Sequence, residues 1–251
     1  MKRVIGRLDV KGPNLIKGIH MEGLRVVGDP QSFATDYYHQ GIDELIYVDL
    51  VASLYGRSNL LEIVTNACQE IFIPITVGGG VRSIEDAVAL LRCGADKVAI
   101  NTAAVHRPEL LTEISRELGD QCVVLSVEAK RAGVDCWEVL TDCGRERSRM
   151  EIREWVKRAE QQGIGEILLT SVDQDGTKNG FDCELVEVIC GACSVPIIAS
   201  GGFGSVDDLA PLLQKGPEAV AIGAQLHAKR TSVAEIKNEC SKLGYQVRQT
   251  S

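Results

Sequence analysis

The chain has 251 residues, of which 45% are hydrophobic, and this is enough to bury a large core in one domain. Its formal net charge of −8 argues against a nucleic-acid partner. No apolar run approaches the about 20 residues of a membrane-spanning helix, and the basic start Met1-Lys2-Arg3 leads into a strand too short for a secretory signal.

The cysteines favour a cytoplasmic protein in a reducing compartment. Of nine cysteines, only Cys190 and Cys193 have CxxC spacing, and no second pair completes a zinc site. We expect this pair to be structural, and no sequence feature requires a metal or an organic cofactor.

Apolar runs typical of β-strands alternate with amphipathic stretches along the whole chain. The predicted strands are residues 4–10, 45–50, 73–77, 97–100, 123–128, 167–171, 197–200 and 219–222. The predicted helices are residues 30–40, 60–70, 84–93, 108–118, 150–162, 183–190, 206–214 and 233–243. Eight βα units without a break in composition favour a single (β/α)8 TIM barrel over residues 1–251, with an open doubly wound sheet as the alternative.

Two connections are longer than the others. Residues 11–28 follow the first predicted strand, and residues 131–149 follow the fifth. Both leave the face of the barrel where enzymes of this fold carry their chemistry, so we expect both to contribute to a site.

The chain contains an internal duplication. The sequence PITVGGG begins at Pro74, and PIIASGG begins 122 positions later, at Pro196. SIEDA at 83–87 and SVDDL at 205–209 follow the two copies in equivalent places. We therefore predict two half-barrels, about 1–120 and 121–251.

Each half presents a carboxylate at the end of its first strand. LDVK at 8–11 corresponds to VEAK at 127–130, which aligns Asp9 with Glu128. Alternate residues of a strand share a face, so Ile5, Arg7 and Asp9 are expected to point into the barrel. Such a carboxylate is either a general acid or base or the partner of a buried cation, and the pairing favours acid/base catalysis.

Glycines supply a second part of the predicted site. Bare backbone N–H groups at glycines near the start of a helix bind anions. Two equivalent sets indicate two phosphate sites, and the alternative is that these are turn glycines only. The first set is Gly79, Gly80, Asn101 and Thr102, and the second is Gly201, Gly202, Gly223 and Ala224.

Many ordered motifs resemble the cyclase subunit of imidazole glycerol phosphate synthase, from about Arg3 to the last helix. The motifs are LDVK at 8–11, GDP at 28–30, DEL at 43–45, TVGGG at 76–80, GADKV at 94–98, NTAA at 101–104, GEILLTS at 165–171, DQDGT at 173–177 and IASGG at 198–202.

The resemblance implies an ammonia-dependent cyclase and lyase. Its substrate would be a doubly phosphorylated ribulosyl-formimino-aminoimidazole carboxamide ribotide, and its products imidazole glycerol phosphate and aminoimidazole carboxamide ribotide. A glutaminase partner would supply the ammonia in a heterodimer. The acid/base residues would be Asp9 and Glu128, and the substrate-binding residues would include Lys17, Asp49, Asn101, Thr170, Asp175, Gly176 and Ser200.

The resemblance also implies a charged ring at the opposite end of the barrel, where ammonia enters. Its members would be Arg3, Glu44, Lys97 and Glu166, with Asp96 beside it. Two basic and two acidic side chains can close a ring of ion pairs. The alternative is four unrelated charges at strand starts.

Two positions depart from the family pattern. Glu128 stands where the family has aspartate, and Arg7 stands where the family has a small residue. A buried arginine must be paired, so we expect Arg7 to pair with Glu128 across the lumen, to lower the pKa of Glu128 and to narrow the ammonia path or bind a substrate anion.

These departures leave three alternatives open. The first is a paralogue that uses partner-derived ammonia to amidinate a sugar in surface-polysaccharide synthesis. The second is the sister isomerase of histidine synthesis, which the charged ring argues against. The third is an inactive barrel that binds and activates a glutaminase.

Overall fold

A computed structural model describes residues 1–52 and 60–248. The predicted domain of residues 1–251 therefore includes two segments, 53–59 and 249–251, that lie outside the described residues.

Twelve strands lie in the described ranges, and eight of them close into a barrel. In chain order, the strands are β1 Arg3–Lys11, β2 Asn14–Ile19, β3 Glu22–Gly28, β4 Glu44–Asp49, β5 Ile75–Gly78, β6 Lys97–Ile100, β7 Val123–Gly133, β8 Cys136–Thr141, β9 Glu146–Glu151, β10 Glu166–Ser171, β11 Ile197–Ser200 and β12 Ala219–Ile222.

The barrel order is β1, β4, β5, β6, β7, β10, β11, β12, and β12 returns to β1 with Ala219 opposite Arg3. Every one of these pairings is parallel. The predicted closed barrel is thus confirmed, and the open sheet was the wrong alternative.

Helices cover the outside of the barrel. They are α1 Pro30–His39, α2 Leu60–Glu70, α3 Ile84–Arg92, α4 Thr102–His106, α5 Glu109–Leu118, α6 Ile152–Gln161, α7 Cys183–Cys190, α8 Leu209–Leu213, α9 Ala224–His227 and α10 Val233–Lys242. None of these helices has both the length and the apolar character needed to cross a membrane.

The core has two layers, because successive side chains of a strand point to opposite faces. One layer lies between the strands and the helices and includes Val4 and Leu8 of β1. The other fills the inside of the barrel and includes Ile5, Val124, Leu168 and Ile198, all of them buried. The packed lumen leaves the carboxyl ends of the strands as the place where polar side chains gather.

The two long connections contain strands that the sequence did not predict. β2 and β3 form an antiparallel hairpin after β1, and β8 and β9 form another after β7. No residue of β3 or β9 is fully buried, so these strands lack the buried apolar face that marks a half-buried strand. The predicted helix 150–162 begins only at Ile152, because Glu151 ends β9 and caps α6 through the N–H groups of Arg153 and Glu154.

Several local features recur in the two halves. Gly79 and Gly201 both have positive φ, at 101° and 94°, where a residue without a Cβ is favoured. Ser83 caps α3 by accepting from the Asp86 N–H, and Ser205 caps the helical turn before α8 by accepting from the Asp207 N–H. These correspondences support the division into half-barrels, which stays a prediction.

Candidate active site

Asp9 lies at the C-terminal mouth of the barrel and is 2% exposed. Its Oδ1 accepts a hydrogen bond from Arg7 Nε at 2.8 Å, and its Oδ2 accepts one from Lys17 Nζ at 2.9 Å. Burial disfavours the ionised carboxylate, but the charges of Arg7 and Lys17 outweigh this and lower the pKa of Asp9 well below its usual range. Asp9 is therefore an ionised carboxylate between two cations.

Arg7 points into the barrel, as predicted, and is 4% exposed. One terminal nitrogen donates to Thr170 Oγ1 at 2.8 Å and to Ser200 Oγ at 3.0 Å, while Nε donates to Asp9. The expected pairing with Glu128 is wrong. Residues two apart on a strand share a face, so the carboxylate nearest to Arg7 is that of Asp9 on its own strand.

Glu128 lies on β7 and is 5% exposed. Its Oε2 accepts a hydrogen bond from the Gly144 N–H at 2.8 Å. Burial raises the pKa of Glu128 to about 7, against the opposing influence of the Arg7 charge and the Gly144 hydrogen bond. The expected lowering of this pKa is therefore also wrong: without a direct ion pair, desolvation outweighs the attraction to the guanidinium.

The first glycine set lines a cavity that Glu128 also lines. A side chain on Gly79 would lie 2.5 Å from the carbonyl oxygen of Asp49, so only glycine fits here without movement. The predicted residues that this cavity brings together are Asp49, Gly79, Gly80, Asn101, Thr102 and Glu128. We call this the first cradle.

Three polar side chains of the first cradle have hydrogen-bond partners, and one of them also carries a buried oxygen without a partner among the described residues. Asn101 Nδ2 donates to the carbonyl oxygen of Leu140 at 3.1 Å, which ties β6 to β8. Asn101 Oδ1 is buried and has no hydrogen-bond partner among the described residues. Thr102 Oγ1 accepts from the Asp142 N–H at 2.9 Å, and Asp49 Oδ1 accepts from the Val51 N–H at 3.0 Å.

The second glycine set lines a separate cavity, the second cradle. Lys17 lines it and donates to Asp175 Oδ1 at 3.0 Å. A side chain on Gly202, where φ is 106°, would overlap the carbonyl oxygen of Gly180. The lining residues that the sequence predicted are Lys17, Asp175, Gly176, Ser200, Gly201, Gly202, Gly223 and Ala224, and Arg7 lines the cavity too.

Sequence reasoning missed several residues of the mouth. Arg82, His106 and Cys143 line the first cradle, and Gly144 holds Glu128. Arg82 follows the glycines by two positions, and a basic residue there was a signal that could have found it. The other three come from segments whose course depends on the unpredicted hairpin and on α4.

His227 is a further buried polar residue near the second cradle. Its Nδ1 is 2.6 Å from Tyr37 Oη, and its Nε2 has no hydrogen-bond partner among the described residues. Burial lowers the pKa of His227 to about 4, although the nearby charge of Asp9 opposes this, so the ring is neutral near pH 7. His227 was not identified from the sequence, because it lies at the end of the short helix α9, which was not predicted.

The four predicted ring residues meet at the N-terminal end of the barrel. Arg3 contacts Glu44 at 2.6 Å and forms an ion pair with Glu166. Lys97 contacts Glu166 at 2.8 Å and Glu44 at 3.5 Å, so each carboxylate is shared by both cations. Asp96 lies next to Lys97 in sequence and accepts from the Ile75 N–H at 2.7 Å.

The closed barrel and its polar mouth define the class of the protein as a (β/α)8 barrel enzyme. Residues 3–232 match the family model described as histidine biosynthesis protein. The chain thus belongs to this family of barrel enzymes.

Named relatives specify the branch of the family. The chain is 61% identical over 206 residues to the imidazole glycerol phosphate synthase subunit HisF of Legionella pneumophila, over 82% of this chain and 97% of that protein. It is 46% identical over 252 residues to the HisF subunit of Corynebacterium glutamicum (strain R), over 98% of each chain. The corresponding subunit of Bifidobacterium longum (strain DJO10A) is 45% identical, again over 98% of each chain.

The chain belongs to the HisF family of imidazole glycerol phosphate synthase subunits, which confirms the resemblance seen in the sequence. None of these three relatives carries a name from surface-polysaccharide synthesis, and nothing in the comparisons supports that alternative.

Proposed function

We propose that the chain is the ammonia-dependent cyclase of imidazole glycerol phosphate synthase in histidine biosynthesis. It converts a doubly phosphorylated ribulosyl-formimino-aminoimidazole carboxamide ribotide to imidazole glycerol phosphate and aminoimidazole carboxamide ribotide. The observation that carries the proposal is the presence of two glycine cradles at one barrel mouth that also holds Asp9 and Glu128.

The two cradles suit a substrate with a phosphate at each end. In the first, the backbone at Gly79 and Gly80, with Asn101 and Thr102, would surround one phosphate. In the second, the backbone at Gly201 and Gly202 would surround the other, with Lys17 as a fixed positive charge. Binding both ends would hold the reacting centre between them, beside the carboxyl groups.

The chemistry requires proton transfers at that centre. Ammonia condenses with the ribulosyl carbonyl with loss of water, and ring closure at the formimino carbon expels the amine of the aminoimidazole product. Each step moves a proton to or from nitrogen or oxygen, and general acid or base catalysis by the carboxyl groups at the mouth, from one of them or from both, supplies this. Thr170, Asp175, Gly176, Ser200, Gly223, Ala224 and Asp49 complete the substrate site in this proposal.

The charged ring supports a glutaminase partner at the other end of the barrel. We propose that the partner docks around Arg3, Glu44, Lys97 and Glu166, with Asp96 beside them. The complex would be a heterodimer in the cytoplasm. The four ring residues are the first residues of β1, β4, β6 and β10, at the end of the barrel opposite Asp9 and Glu128. Ammonia released there reaches the mouth through the lumen.

The first experiment measures cyclisation without the glutaminase. The purified chain is given the doubly phosphorylated substrate named above with ammonium salt at high pH, and product formation is followed. We expect turnover that falls by roughly 10²-fold or more in Asp9→Asn and in Glu128→Gln. Glu184→Gln is the matched control, because its carboxylate is 73% exposed on α7. An inactive wild type, or full activity in both variants, would refute the proposed function.

The second experiment tests the ring. In the complex with its glutaminase, Arg3→Met should lower turnover driven by glutamine while turnover driven by ammonium salt is kept. Arg107→Met, which breaks the exposed pair with Glu113, is the control. Equal loss with both nitrogen sources would place Arg3 outside ammonia transfer.

A further inference from the structure

We infer that the two carboxylates have different roles. Glu128 exchanges the proton during the reaction, and Asp9 stays ionised as a fixed negative charge that Arg7 and Lys17 hold in place. The division of roles rests on the proposed function for its chemistry and on the contacts of this chain for its assignment. It makes Arg7 a positioning residue that acts through Asp9 and Glu128.

Both oxygens of Asp9 are already bound to cations. Oδ1 accepts from Arg7 Nε at 2.8 Å and Oδ2 from Lys17 Nζ at 2.9 Å. A proton on either oxygen would remove the negative charge that pairs with both cations, and weakening two buried ion pairs in this way is costly. Arginine cannot give up its own proton at any pH that the protein experiences. Asp9 therefore cannot change its protonation state without breaking an ion pair.

Glu128 is free of this constraint. Within residues 1–52 and 60–248, its one hydrogen bond runs from the Gly144 N–H to Oε2, and its side chain lines the first cradle. A proton can join or leave this carboxyl group without separating an ion pair. The rise of its pKa to about 7 under burial fits a group that exchanges a proton near neutrality.

The charged and titratable groups near Glu128 come from several elements, and those that line the same cavity include Asp49, Arg82 and His106. β1 contributes Arg7 and Asp9, and the turn between β8 and β9 contributes Asp142 and Cys143. Arg7 favours the ionised form of Glu128, whereas Asp9 and Asp142 favour the protonated form. Burial raises the pKa of the Cys143 thiol, so that group stays neutral in the working range of pH.

Arg7 is held so that it contacts Asp9 directly and acts on Glu128 only through its charge. Its terminal nitrogen donates to Thr170 on β10 and to Ser200 on β11, and these two bonds fix the guanidinium with Nε towards Asp9. A lysine at the same position keeps the charge but lacks the fork of donors that makes all three contacts. The geometry of Asp9 thus depends on the guanidinium itself.

The test measures ammonium-dependent turnover against pH. For wild type, we expect kcat to depend on one ionisation near neutrality, and Glu128→Gln should remove that ionisation and lower kcat by roughly 10²-fold or more. Arg7→Met should move the ionisation to higher pH, because a positive charge that favours the carboxylate is lost. Arg7→Lys should restore its position at least in part. An arginine with only a structural role would change the folded fraction and leave the ionisation where it is.

A second measurement does not depend on activity. Carboxyl ¹³C NMR of the wild-type protein, with Glu128→Gln and Asp9→Asn for assignment, follows each group from pH 5 to 9. We expect Glu128 to titrate in this range and Asp9 to stay ionised throughout. Titration of Asp9 between pH 5 and 9, or an ionised Glu128 at pH 5, would overturn the division of roles. Failure of the proposed function alone would show as an inactive wild type with the NMR titration as expected.

Discussion

Replacing Glu128 with glutamine should stabilise the fold at high pH and have little effect at low pH. In the folded protein, burial raises the pKa of Glu128 from 4.5 to about 7. Between these values the folded state binds more protons than the unfolded state, so the contribution of Glu128 to stability is full below about pH 4.5 and is lost as pH rises through about 7. Glutamine has the same shape and does not ionise, so the variant avoids this loss.

The size of the effect follows from the change in proton affinity. At about 1.36 kcal/mol for each tenfold change, a pKa raised from 4.5 to about 7 corresponds to about 3 kcal/mol once the carboxyl group is fully ionised. A domain is typically stable by only about 5–15 kcal/mol, so the difference is measurable. The hydrogen bond from the Gly144 N–H is kept by the amide oxygen of glutamine, which limits other costs.

Urea unfolding of wild type and Glu128→Gln at pH 5 and pH 8 measures the effect. We expect the free energy of unfolding of the variant, relative to wild type, to increase by about 2.5 kcal/mol between the two conditions, because a small part of the full difference is already present at pH 5. Asp9→Asn provides the contrast: Asp9 is ionised at both pH values, so the loss of its ion pairs with Arg7 and Lys17 should destabilise the protein at both. The lost charge also favours ionised Glu128, so the change between the two conditions should be smaller than that for Glu128→Gln. A relative stability of Glu128→Gln that is flat or falls between pH 5 and 8 would refute the reasoning.

Two further predictions concern the scaffold, and each has a matched control measured by urea unfolding. Gly202→Ala should lower the free energy of unfolding by about 1–3 kcal/mol more than Gly23→Ala does. Both glycines have positive φ, but only at Gly202 would the new methyl group meet a neighbouring carbonyl oxygen. Equal losses of stability would show that the backbone moves aside freely. Lys237→Met should cost about 3 kcal/mol, because it removes the 2.6 Å contact to the buried carboxylate of Asp43, whereas Lys242→Met, which breaks an exposed pair, should cost less than about 1 kcal/mol. A loss below 1 kcal/mol for Lys237→Met would mean that other partners of Asp43 suffice.

The barrel was predictable because its strands are short, buried on both faces and rich in β-branched residues. The segments 97–100, 197–200 and 219–222 were predicted with the observed bounds for this reason. The hairpins were not predictable in the same way. β3 and β9 gain their structure from pairing with a neighbour rather than from a buried face, and pairing leaves little trace in a single sequence.

The residues of the candidate site were predictable, but their partners were not. Spacing along β1 indicated that Arg7 and Asp9 point inward, and the duplication aligned Asp9 with Glu128. The choice between Asp9 and Glu128 as the partner of Arg7 depended on the distances between their side chains. The periodicity of a sequence indicates which face of a strand a residue occupies but not these distances. The pKa of Glu128 depended in turn on that choice, so one error in pairing reversed the predicted sign.

The proposed passage of nitrogen through the lumen gives Arg7 a consequence for the form in which nitrogen reaches the mouth. A small molecule moving up the barrel axis leaves the ion pairs at the bottom, crosses a stretch of hydrocarbon side chains such as Ile5 and Leu168, and then arrives beneath a permanent positive charge. Ammonium would lose its hydration shell in that stretch and be repelled at its end, whereas ammonia meets neither penalty. We therefore expect the lumen of this protein to select the uncharged amine, so that the nitrogen is a nucleophile from the moment it reaches the substrate.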